Sequence, residues 1–564
     1  MPQRGRKDIE MGYTDHYNKK RTPQTQPTPG KNQVKNNAGG YVYEITPWNR
    51  LERFLILGSE GGSYYASEGT LTRDNAKNVV VCIKEDGIRA VDAIVEVSEK
   101  GRASKNTPAL FALALAASEG NAETKKYALD NLSKVARIGT HLFQFAQFVN
   151  AFRGWGRGLR DAIGNWYLDM DAERLAYQVI KYPQRITEQG DALSKWSHRD
   201  LLRKSHVSAK GDHDKIFNYA VNGWDKIPSR TTKALKIVKG TEKVKRATSG
   251  KEVADLVSEF NLPHEVIPKE FSNDVTVMKA LLENMPLTAT MRNLGRMTSH
   301  GVLAPMSDEV NMVVERLTDE SYIKKSRIHP INVLAALKTY SQGCGFKGNM
   351  TWRPDQKIVD ALDSMLYKSF ENVESTGKKI LIALDVSGSM GAPCMGMEQI
   401  TAMEAESVMA MATARVESNY HIIGFTSDGW SGSQNSRGGW MRSGVKPLNI
   451  SPRQRLDQVM HTMRKEPMGG TDCSLPMLYA IENKLDVDTF IVYTDSETYA
   501  GKIKPDQALA EYRRKFNPNA KLIVCASSSS GFSIADPKDA GMLDCVGFSS
   551  ATPSVISGFI NDSF

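Results

Sequence analysis

The chain contains 564 residues, of which 40% are hydrophobic and 24% charged, and its formal net charge is +9. This length exceeds what one hydrophobic core accommodates, so two or more domains are expected, with the composition of an ordinary soluble protein. There is no apolar run long enough to span a bilayer, no signal peptide and no Cys-x-x-Cys pair, so we expect a cytoplasmic protein without disulfides or structural zinc.

The positive charge is distributed unevenly along the chain. The part before Glu371 has 55 basic and 42 acidic side chains, whereas the part from Glu371 onward has 18 and 22. The basic excess therefore belongs to the first part alone. Such an excess is typical of surfaces that bind polyanions, but ordinary solvated surfaces carry it equally often, so charge alone does not decide the function.

The first 370 residues divide into two stretches. Residues 1–40 are rich in Gln, Pro, Thr, Asn and Lys, which predicts a disordered basic tail because few apolar groups are available for burial. Residues 41–370 contain successive segments with apolar residues at three-to-four spacing, separated by short polar, Gly or Pro breaks. These short breaks predict antiparallel helix pairs and hence HEAT-like helical repeats, although no fixed-period repeat is visible.

The pattern changes in residues 371–564. Ile380–Leu384 is an unbroken apolar run, and similar runs at 420–425, 489–495 and 520–526 alternate with helical stretches. Unbroken apolar runs are typical of strands that are buried on both faces of a parallel sheet. The alternation therefore predicts a doubly wound α/β domain with helices on both faces of a parallel sheet. No G-x-x-x-x-G-K-[ST] run occurs, which argues against an ATPase module.

Oxygen ligands occupy three loops of this second domain. Asp385, Ser387 and Ser389 lie on a tight turn after the first strand, Thr471 follows a Gly-Gly turn, and Asp495 ends the run FIVYTD. Hard oxygen donors at the carboxyl edge of a parallel sheet suit a small divalent cation, for which Mg²⁺ is the expected ion. The spacing is that of the metal-ion-dependent adhesion site of von Willebrand factor A domains. The alternative is a set of unrelated turns at the edge of a nucleotide-binding sheet.

The residues around these oxygens predict binding and not catalysis. No positioned general base or nucleophile accompanies them, so hydrolysis at the ion is not expected. The helical part likewise contains no clustered carboxylate pair or His dyad that would indicate a nuclease. The cation would either bind an acidic partner or merely neutralise facing carboxylates and stabilise the loops.

Two short polar segments of the helical part are candidates for RNA contact. The first contains Lys181, Arg185, Arg199, Arg203, Lys204 and His206, and the second contains Arg292, Asn293 and Arg296. Arg grips phosphate bidentately and Lys acts as a point charge, which favours contact with the RNA backbone over reading of bases. The alternatives are a solvated face with His206 as a cap or core residue, and a helix-to-helix salt link in the second segment. Trp155 is either a stacking platform for bases or a core residue.

Together these features resemble the Ro ribonucleoprotein autoantigen family, in which a TROVE ring of helical repeats precedes a von Willebrand A domain. The matching segments are FLILGSEGGSYY, WSHRDLLRKSH, MPLTATMRNLGRMT, RIHPINVLAALKTY, GGTDCSLPM, IVYTDSETYAG and KLIVCASSSSGFSIADPKDAGMLD. Gly388 stands where animal relatives tend to carry Ala, and the segment before WSHRDLL is longer than in the family. Both features favour a bacterial or phage-borne member.

The resemblance implies a non-enzymatic scaffold for RNA quality control or decay. The ring would admit single-stranded 3′ ends of misfolded or fragmentary noncoding RNA, and a small structured Y-type RNA would bind the outer surface, where Lys181, Arg185 and His206 map. At the metal site, the three hydroxyls would be direct ligands and the two carboxylates would act through water, leaving a position for an acidic ligand. Bacterial members also engage a 3′-to-5′ exoribonuclease. A metal-dependent protein-adhesion module and a subunit that tethers a nuclease remain alternative functions.

Overall fold

The structure is a computed structural model that describes most of the chain. The described residues are 21–58, 76–103, 105–182, 196–227, 232–345, 349–370, 375–394, 397–427, 444–451, 453–466, 469–526, 531–546 and 552–562. Within these ranges, no helix is both long enough and apolar enough to cross a membrane.

Residues 47–368 form an array of α-helices, as the three-to-four spacing of apolar residues predicts. The helices are α1 (Pro47–Leu57), α2 (Lys77–Glu85), α3 (Gly87–Glu99), α4 (Thr107–Glu119), α5 (Ala122–Asp130), α6 (Leu132–Val135), α7 (Gly139–Arg153), α8 (Arg157–Leu168), α9 (Ala172–Lys181), α10 (His198–Ser205), α11 (Gly211–Asn222), α12 (Lys236–Val244), α13 (Gly250–Phe260), α14 (Val275–Glu283), α15 (Leu287–Ser299), α16 (Asp308–Thr318), α17 (Glu320–Ser326), α18 (Pro330–Ser341) and α19 (Gln356–Lys368). Most present one apolar face to their neighbours. The Ala- and Leu-rich α4 is buried on nearly all sides, which places it at the centre of the first half.

The helical array returns to its own beginning. Arg327 Nη1 donates to the Glu99 carbonyl oxygen at 2.7 Å, and His329 Nε2 lies 3.3 Å from the Arg102 carbonyl oxygen. Burial lowers the pKa of His329 to about 3, so its imidazole is neutral. Because Nδ1 accepts the Ile331 amide, Nε2 carries the proton and donates to Arg102. The start of α18 therefore closes the array against the end of α3.

The strands belong to three sheets. They are β1 (Gln33–Lys35), β2 (Tyr41–Glu44), β3 (Lys379–Asp385), β4 (Pro393–Cys394), β5 (Met397–Thr401), β6 (Asn419–Phe425), β7 (Val445–Pro447), β8 (Thr489–Thr494), β9 (Lys521–Ala526), β10 (Phe532–Ser533) and β11 (Met542–Val546). The six-stranded sheet has the order β11-β9-β8-β3-β6-β7, with β7 antiparallel and its other neighbours parallel. The remaining helices are α20 (Ala402–Val416), α21 (Leu456–Arg464), α22 (Leu475–Glu482), α23 (Pro505–Lys515) and α24 (Thr552–Ile560). The predicted fold class, a helical ring followed by a doubly wound α/β domain, is confirmed.

The central strand β3 explains why its sequence is apolar without interruption. Ile382 and Leu384 pack into a cluster that continues into the helical array, whereas Leu381 and Ala383 pack into a second cluster on the opposite face of the sheet. A strand buried on both faces has no solvent side for polar residues. In register, Leu384 pairs with Tyr493 of β8, so the loops that follow β3 and β8 begin at the same edge of the sheet.

The N-terminal segment differs from the sequence-based expectation. Residues 21–40, predicted as part of a disordered tail, are ordered against the α/β domain, where β2 pairs with both β1 and β10. Gln24 is fully buried and donates from Nε2 to Asp472 Oδ1 at 2.7 Å and to the Ile503 carbonyl at 2.9 Å. Polar residues become ordered here because their amides satisfy buried groups of the domain, which composition does not reveal. We call residues 21–44 the N-terminal strap; residues 1–20 lie outside the described residues.

Two buried ion pairs join the helical array to the α/β domain. Arg53 of α1 lies 2.7 Å from Asp544 of β11, and both side chains are less than 10% exposed. Lys338 of α18 lies 2.6 Å from Glu404 at the start of α20. Apolar residues of α18 and α19 belong to the same cluster as those of α20. The α/β domain therefore contacts the first helix of the array and also its last helices.

Candidate metal centre and RNA-contact surfaces

The predicted metal-binding loops converge at the carboxyl edge of the sheet. The Ser387 amide donates to Asp385 Oδ1 at 2.9 Å, which folds the turn after β3. The Ser387 and Ser389 hydroxyl oxygens are 3.1 Å apart. The Gly388 amide donates to the Gly469 carbonyl at 3.2 Å and so joins this turn to the loop that carries Thr471. These hydrogen bonds bring two of the three predicted loops together.

The third loop adds a second buried carboxylate. Asp385 and Asp495 are 1% and 3% exposed. Burial raises the pKa of Asp385 to about 6, and burial together with the charge of Asp385 raises the pKa of Asp495 to about 7. Ser389 makes a side-chain hydrogen bond to Asp495, and Thr494 Oγ1 donates to Asp385 Oδ2 at 2.7 Å. Two like charges in a site of low dielectric are stabilised by a counter-charge, which a divalent cation would supply.

The donor set fits a hard cation such as Mg²⁺, which prefers oxygen ligands and retains several waters. Ser387, Ser389 and Thr471 are each at most 4% exposed and supply hydroxyl oxygens beside the carboxylates. No group of three or more His, Cys, Asp or Glu side chains that could hold a metal occurs in the described ranges, so the hydroxyls are essential to the candidate site. A Cβ added at Gly388 would meet no atom within 4 Å, so the turn also accommodates the Ala of animal relatives.

Sequence reasoning missed the residues that hold the loop after β8. Asn36 of the N-terminal strap donates from Nδ2 to the carbonyl oxygens of Thr498, at 2.9 Å, and Ser496, at 3.2 Å. Ser496 has a φ of 64°, in the left-handed region that few residues other than Gly adopt. These bonds fix the loop that starts at Asp495. No local pattern could have predicted them, because Asn36 and Ser496 are 460 residues apart.

Most of the first polar segment lies exposed on or just after α10. The exposed members are Arg199, Arg203, Lys204 and His206. A capping box of Ser197 and Asp200 begins the helix, and Leu201 and Leu202 bury its opposite face. His206 ends α10 as a left-handed C-cap with a φ of 53°, which is the cap role that the sequence left open. Its ring nevertheless remains at the surface beside the three cations.

A pair of stacked indole rings adjoins α10. The ring centroids of Trp155 and Trp196 are 5.1 Å apart with an interplanar angle of 25°. Lys204 Nζ lies 5.6 Å from the Trp155 ring and 5.8 Å from the Trp196 ring, and Trp155 Nε1 donates to the Lys204 carbonyl at 3.3 Å. Both indoles are half-buried. Trp155 therefore helps to pack α10 and also presents part of an aromatic face beside a cation.

Lys181 has a less accessible position than the α10 residues. Its side chain is 16% exposed, and Nζ lies 5.3 Å and 5.5 Å from the ring centroids of Tyr177 and Tyr182. Glu265 Oε1 is 3.7 Å away. Burial lowers the pKa of Lys181, but the neighbouring Tyr177, Tyr182 and Glu265 outweigh burial and raise the pKa overall. Lys181 is therefore charged but directed towards protein groups, while Arg185 lies outside the described residues.

The second segment lines a surface cavity of about 470 Å³ together with Tyr340 and Trp352. Arg292 is exposed on α15, whereas Asn293 Nδ2 donates to the Ala289 carbonyl of the same helix at 2.9 Å. Arg296 donates from Nη2 to the Ser272 carbonyl oxygen and to Asn273 Oδ1, both at 2.6 Å. Arg296 therefore anchors a loop, close to the structural alternative that the sequence left open. Contact of this segment with RNA remains a prediction.

A closed array of helices followed by an α/β domain with oxygen ligands at its sheet edge defines a class: proteins that join a TROVE domain to a von Willebrand A domain. The model of the TROVE domain matches residues 34–339, and the model of the Ro60 vWA domain matches residues 379–560. The chain therefore belongs to the TROVE family, with a C-terminal domain of the Ro60 type.

Similar proteins cover almost the whole chain. The chain is 37% identical to the RNA-binding protein RO60 of Deinococcus radiodurans over 95% of this chain and 97% of that protein. It is 32% identical to the RNA-binding protein RO60 of Caenorhabditis elegans over 98% and 94%. The crystal structure of the Deinococcus radiodurans RO (RSR) protein matches with a TM-score of 0.70 and 36% identity, covering 92% of this chain and all of the other.

Proposed function

We propose that this protein is an RNA-binding ribonucleoprotein scaffold, not an enzyme, that acts in RNA quality control or decay. The observation that carries the proposal is the near full-length similarity to relatives that are named as RNA-binding proteins. The exposed basic residues of α10 and the closed helical array give such a protein two kinds of surface, one outer and one inner. Single-stranded 3′ ends of misfolded noncoding RNA would enter the array, and a small Y-type RNA would bind outside it.

Entry of a 3′ end is tested with one RNA duplex prepared blunt or with a single-stranded 3′ extension. The extended RNA should bind more tightly, and its affinity should fall steeply with salt because the contacts are made to phosphates. Equal affinity for the two RNAs across the salt series would contradict recognition of 3′ ends.

The outer surface is tested by charge reversal at Lys181 and Arg185. The double variant Lys181→Glu/Arg185→Glu should bind a Y-type RNA more weakly and with a smaller dependence on salt. Lys378→Glu/Lys502→Glu, which reverses two exposed charges in the α/β domain, is the matched control. Equal weakening by both variants would assign the loss to net charge and not to the outer surface.

At the sheet edge we propose a Mg²⁺ site, in which Ser387, Ser389 and Thr471 are direct ligands and Asp385 and Asp495 act through water. The ion would supply positive charge to which an acidic ligand binds. Asp385→Ala should abolish Mg²⁺ binding in calorimetry while the circular dichroism spectrum of the sheet is preserved. Unchanged affinity in this variant would contradict the assignment.

Two further candidate functions share this site and the RNA surfaces. One is a metal-dependent adhesion module, for which partner binding would survive removal of the residues before 371. The other is a subunit that tethers a 3′-to-5′ exoribonuclease through a small RNA, for which treatment with RNase would release the nuclease. We propose a cytoplasmic location, which is supported by the buried free thiols of Cys82, Cys473, Cys525 and Cys545.

A further inference from the structure

A stripe of cations lies on α12, outside the segments discussed so far. The exposed members are Lys236, Lys239, Lys243 and, just after the helix, Arg246. Val238, Thr241 and Val244 are buried on the opposite face. At 100° per residue, the four basic positions fall within a sector of about 80°, and Lys236 to Lys243 span about 10 Å along the axis. We call these four residues the α12 basic stripe.

The orientation of this helix is fixed by close packing. A Cβ added at Gly240 would lie 2.4 Å from the Phe260 ring, so α12 approaches α13 too closely for any larger side chain. Lys243 Nζ also lies 5.0 Å from the centroid of the Phe260 ring. A helix held in this way cannot rotate to bury its basic side, so the stripe faces solvent permanently.

The neighbouring acids do not neutralise the α12 basic stripe. Lys245 takes Glu242 at 2.6 Å, and Lys233 takes Glu173 at 2.6 Å. Asp255 is exposed on the adjacent α13, as is Glu259. Among the described residues, however, no acid lies within 4.0 Å of any cation of the stripe. Four positive charges therefore remain available to an external polyanion.

We infer that the α12 basic stripe binds the phosphodiester backbone of RNA, at a site separate from α10. The inference rests on the proposed RNA-binding function and adds a second contact surface to it. Three of the four cations are Lys, which contact phosphates as point charges and do not read bases. Protein partners usually require large apolar anchors. Within the described ranges, the large exposed apolar side chains lie at Val81, Leu168, Val275, Met306, Met350 and Phe516, and none is on α12.

The test compares two variants of the full chain with equal changes in net charge. Lys236→Gln/Lys239→Gln/Lys243→Gln removes three cations of the stripe, and Lys378→Gln/Lys465→Gln/Lys502→Gln removes three exposed cations from the α/β domain. Affinity for a structured RNA is measured as a function of salt concentration. Each lost phosphate contact reduces the slope of log K against log salt by about one, so the stripe variant should lose two to three units of slope, or about that many.

The outcomes separate this inference from the proposed function. A smaller slope and weaker binding in the stripe variant alone, with similar losses for RNAs of unrelated sequence, support backbone contact at α12. Equal slopes in the parent and the stripe variant overturn the inference and leave the proposed RNA binding intact. A parent protein that binds no RNA overturns both. Loss of binding to an acidic protein, with RNA binding unchanged, also overturns the inference.

Discussion

At the scale of single residues, burial determines the chemistry of the two carboxylates at the sheet edge. The pKa values of Asp385 and Asp495, about 6 and about 7, lie above the value of about 3.9 for an unfolded Asp. The metal-free folded chain therefore binds more protons than the unfolded chain between about pH 4 and pH 7. Its stability from these groups falls as pH rises through that interval. Protons and a cation would compete for the same oxygens.

Mg²⁺ affinity should fall when the pH is lowered from about 8 to about 5.5. Protonation of Asp495 and then Asp385 removes the charge that attracts the cation, so the affinity should decrease on the order of tenfold to a hundredfold. Isothermal titration calorimetry at several pH values measures this decrease. Asp495→Asn should bind more weakly at every pH and depend less on pH, and a constant affinity of the parent protein between these values would contradict the proposed site.

At the scale of elements, the N-terminal strap completes the α/β domain from the other end of the chain. Asn36 holds two carbonyls of the loop after β8, and Asn37 Nδ2 donates to Glu497 Oε1 at 2.7 Å. Lys31 lies 2.6 Å from Asp536 further along the domain. A segment with little apolar surface is therefore held mainly by hydrogen bonds and charge.

Asn36→Ala should loosen the loop that carries Asp495. The substitution removes both donors to the carbonyl oxygens of Ser496 and Thr498, each worth about 1 kcal/mol, while β1 and β2 remain paired. Hydrogen–deuterium exchange should therefore become faster in a peptide covering residues 495–500. Arg21→Ala breaks an ion pair between the strap and Glu511 and serves as the control, since exchange in the same peptide should not change. Equal exchange in both variants would show that Asn36 does not hold this loop.

The sequence predicted the metal-site residues because their arrangement follows from the topology of a parallel sheet. Asp385, Ser387 and Ser389 share one turn, and the carboxyl ends of neighbouring strands must meet at one edge, which brings in Thr471 and Asp495. The geometry of these five residues is therefore largely readable from spacing. Their roles as ligands stay a prediction.

The environments of the polar residues were less predictable. Lys181 meets Glu265 and Arg296 meets Asn273, and both partners lie on loops whose approach is set by the packing of several helices. Gln24 is ordered through hydrogen bonds to a domain that lies more than 400 residues away in the sequence. A polar composition records the lack of apolar groups but not the presence of distant partners.

At the scale of the whole molecule, few but buried contacts join the two domains. Arg53 and Asp544 form an ion pair in which Arg53 is 1% exposed. Removing one partner leaves the other as an uncompensated buried charge, which costs more than an exposed pair is worth. The relative position of the helical array and the α/β domain therefore depends strongly on this pair.

Arg53→Ala should destabilise the protein by about 3–5 kcal/mol, because the charge of Asp544 remains buried without its partner. Arg50→Ala on the same helix breaks a more exposed pair with Glu44 and should cost less than about 1 kcal/mol. Chemical denaturation of both variants measures the difference in the free energy of unfolding. Equal losses would show that burial does not distinguish the two pairs.

The pairing of β2 with β10 has a consequence for synthesis on the ribosome. Glu44 is made early, but its partner Phe532 is added almost at the end of the chain. At roughly 5–20 residues per second, the first strands would wait roughly 25–100 s with an unpaired edge. The helical array would form during this interval, and only then would the nascent N-terminus find its place. The α/β domain thus cannot mature by itself at the end of translation, and a fragment comprising residues 371–564 would lack part of its own fold.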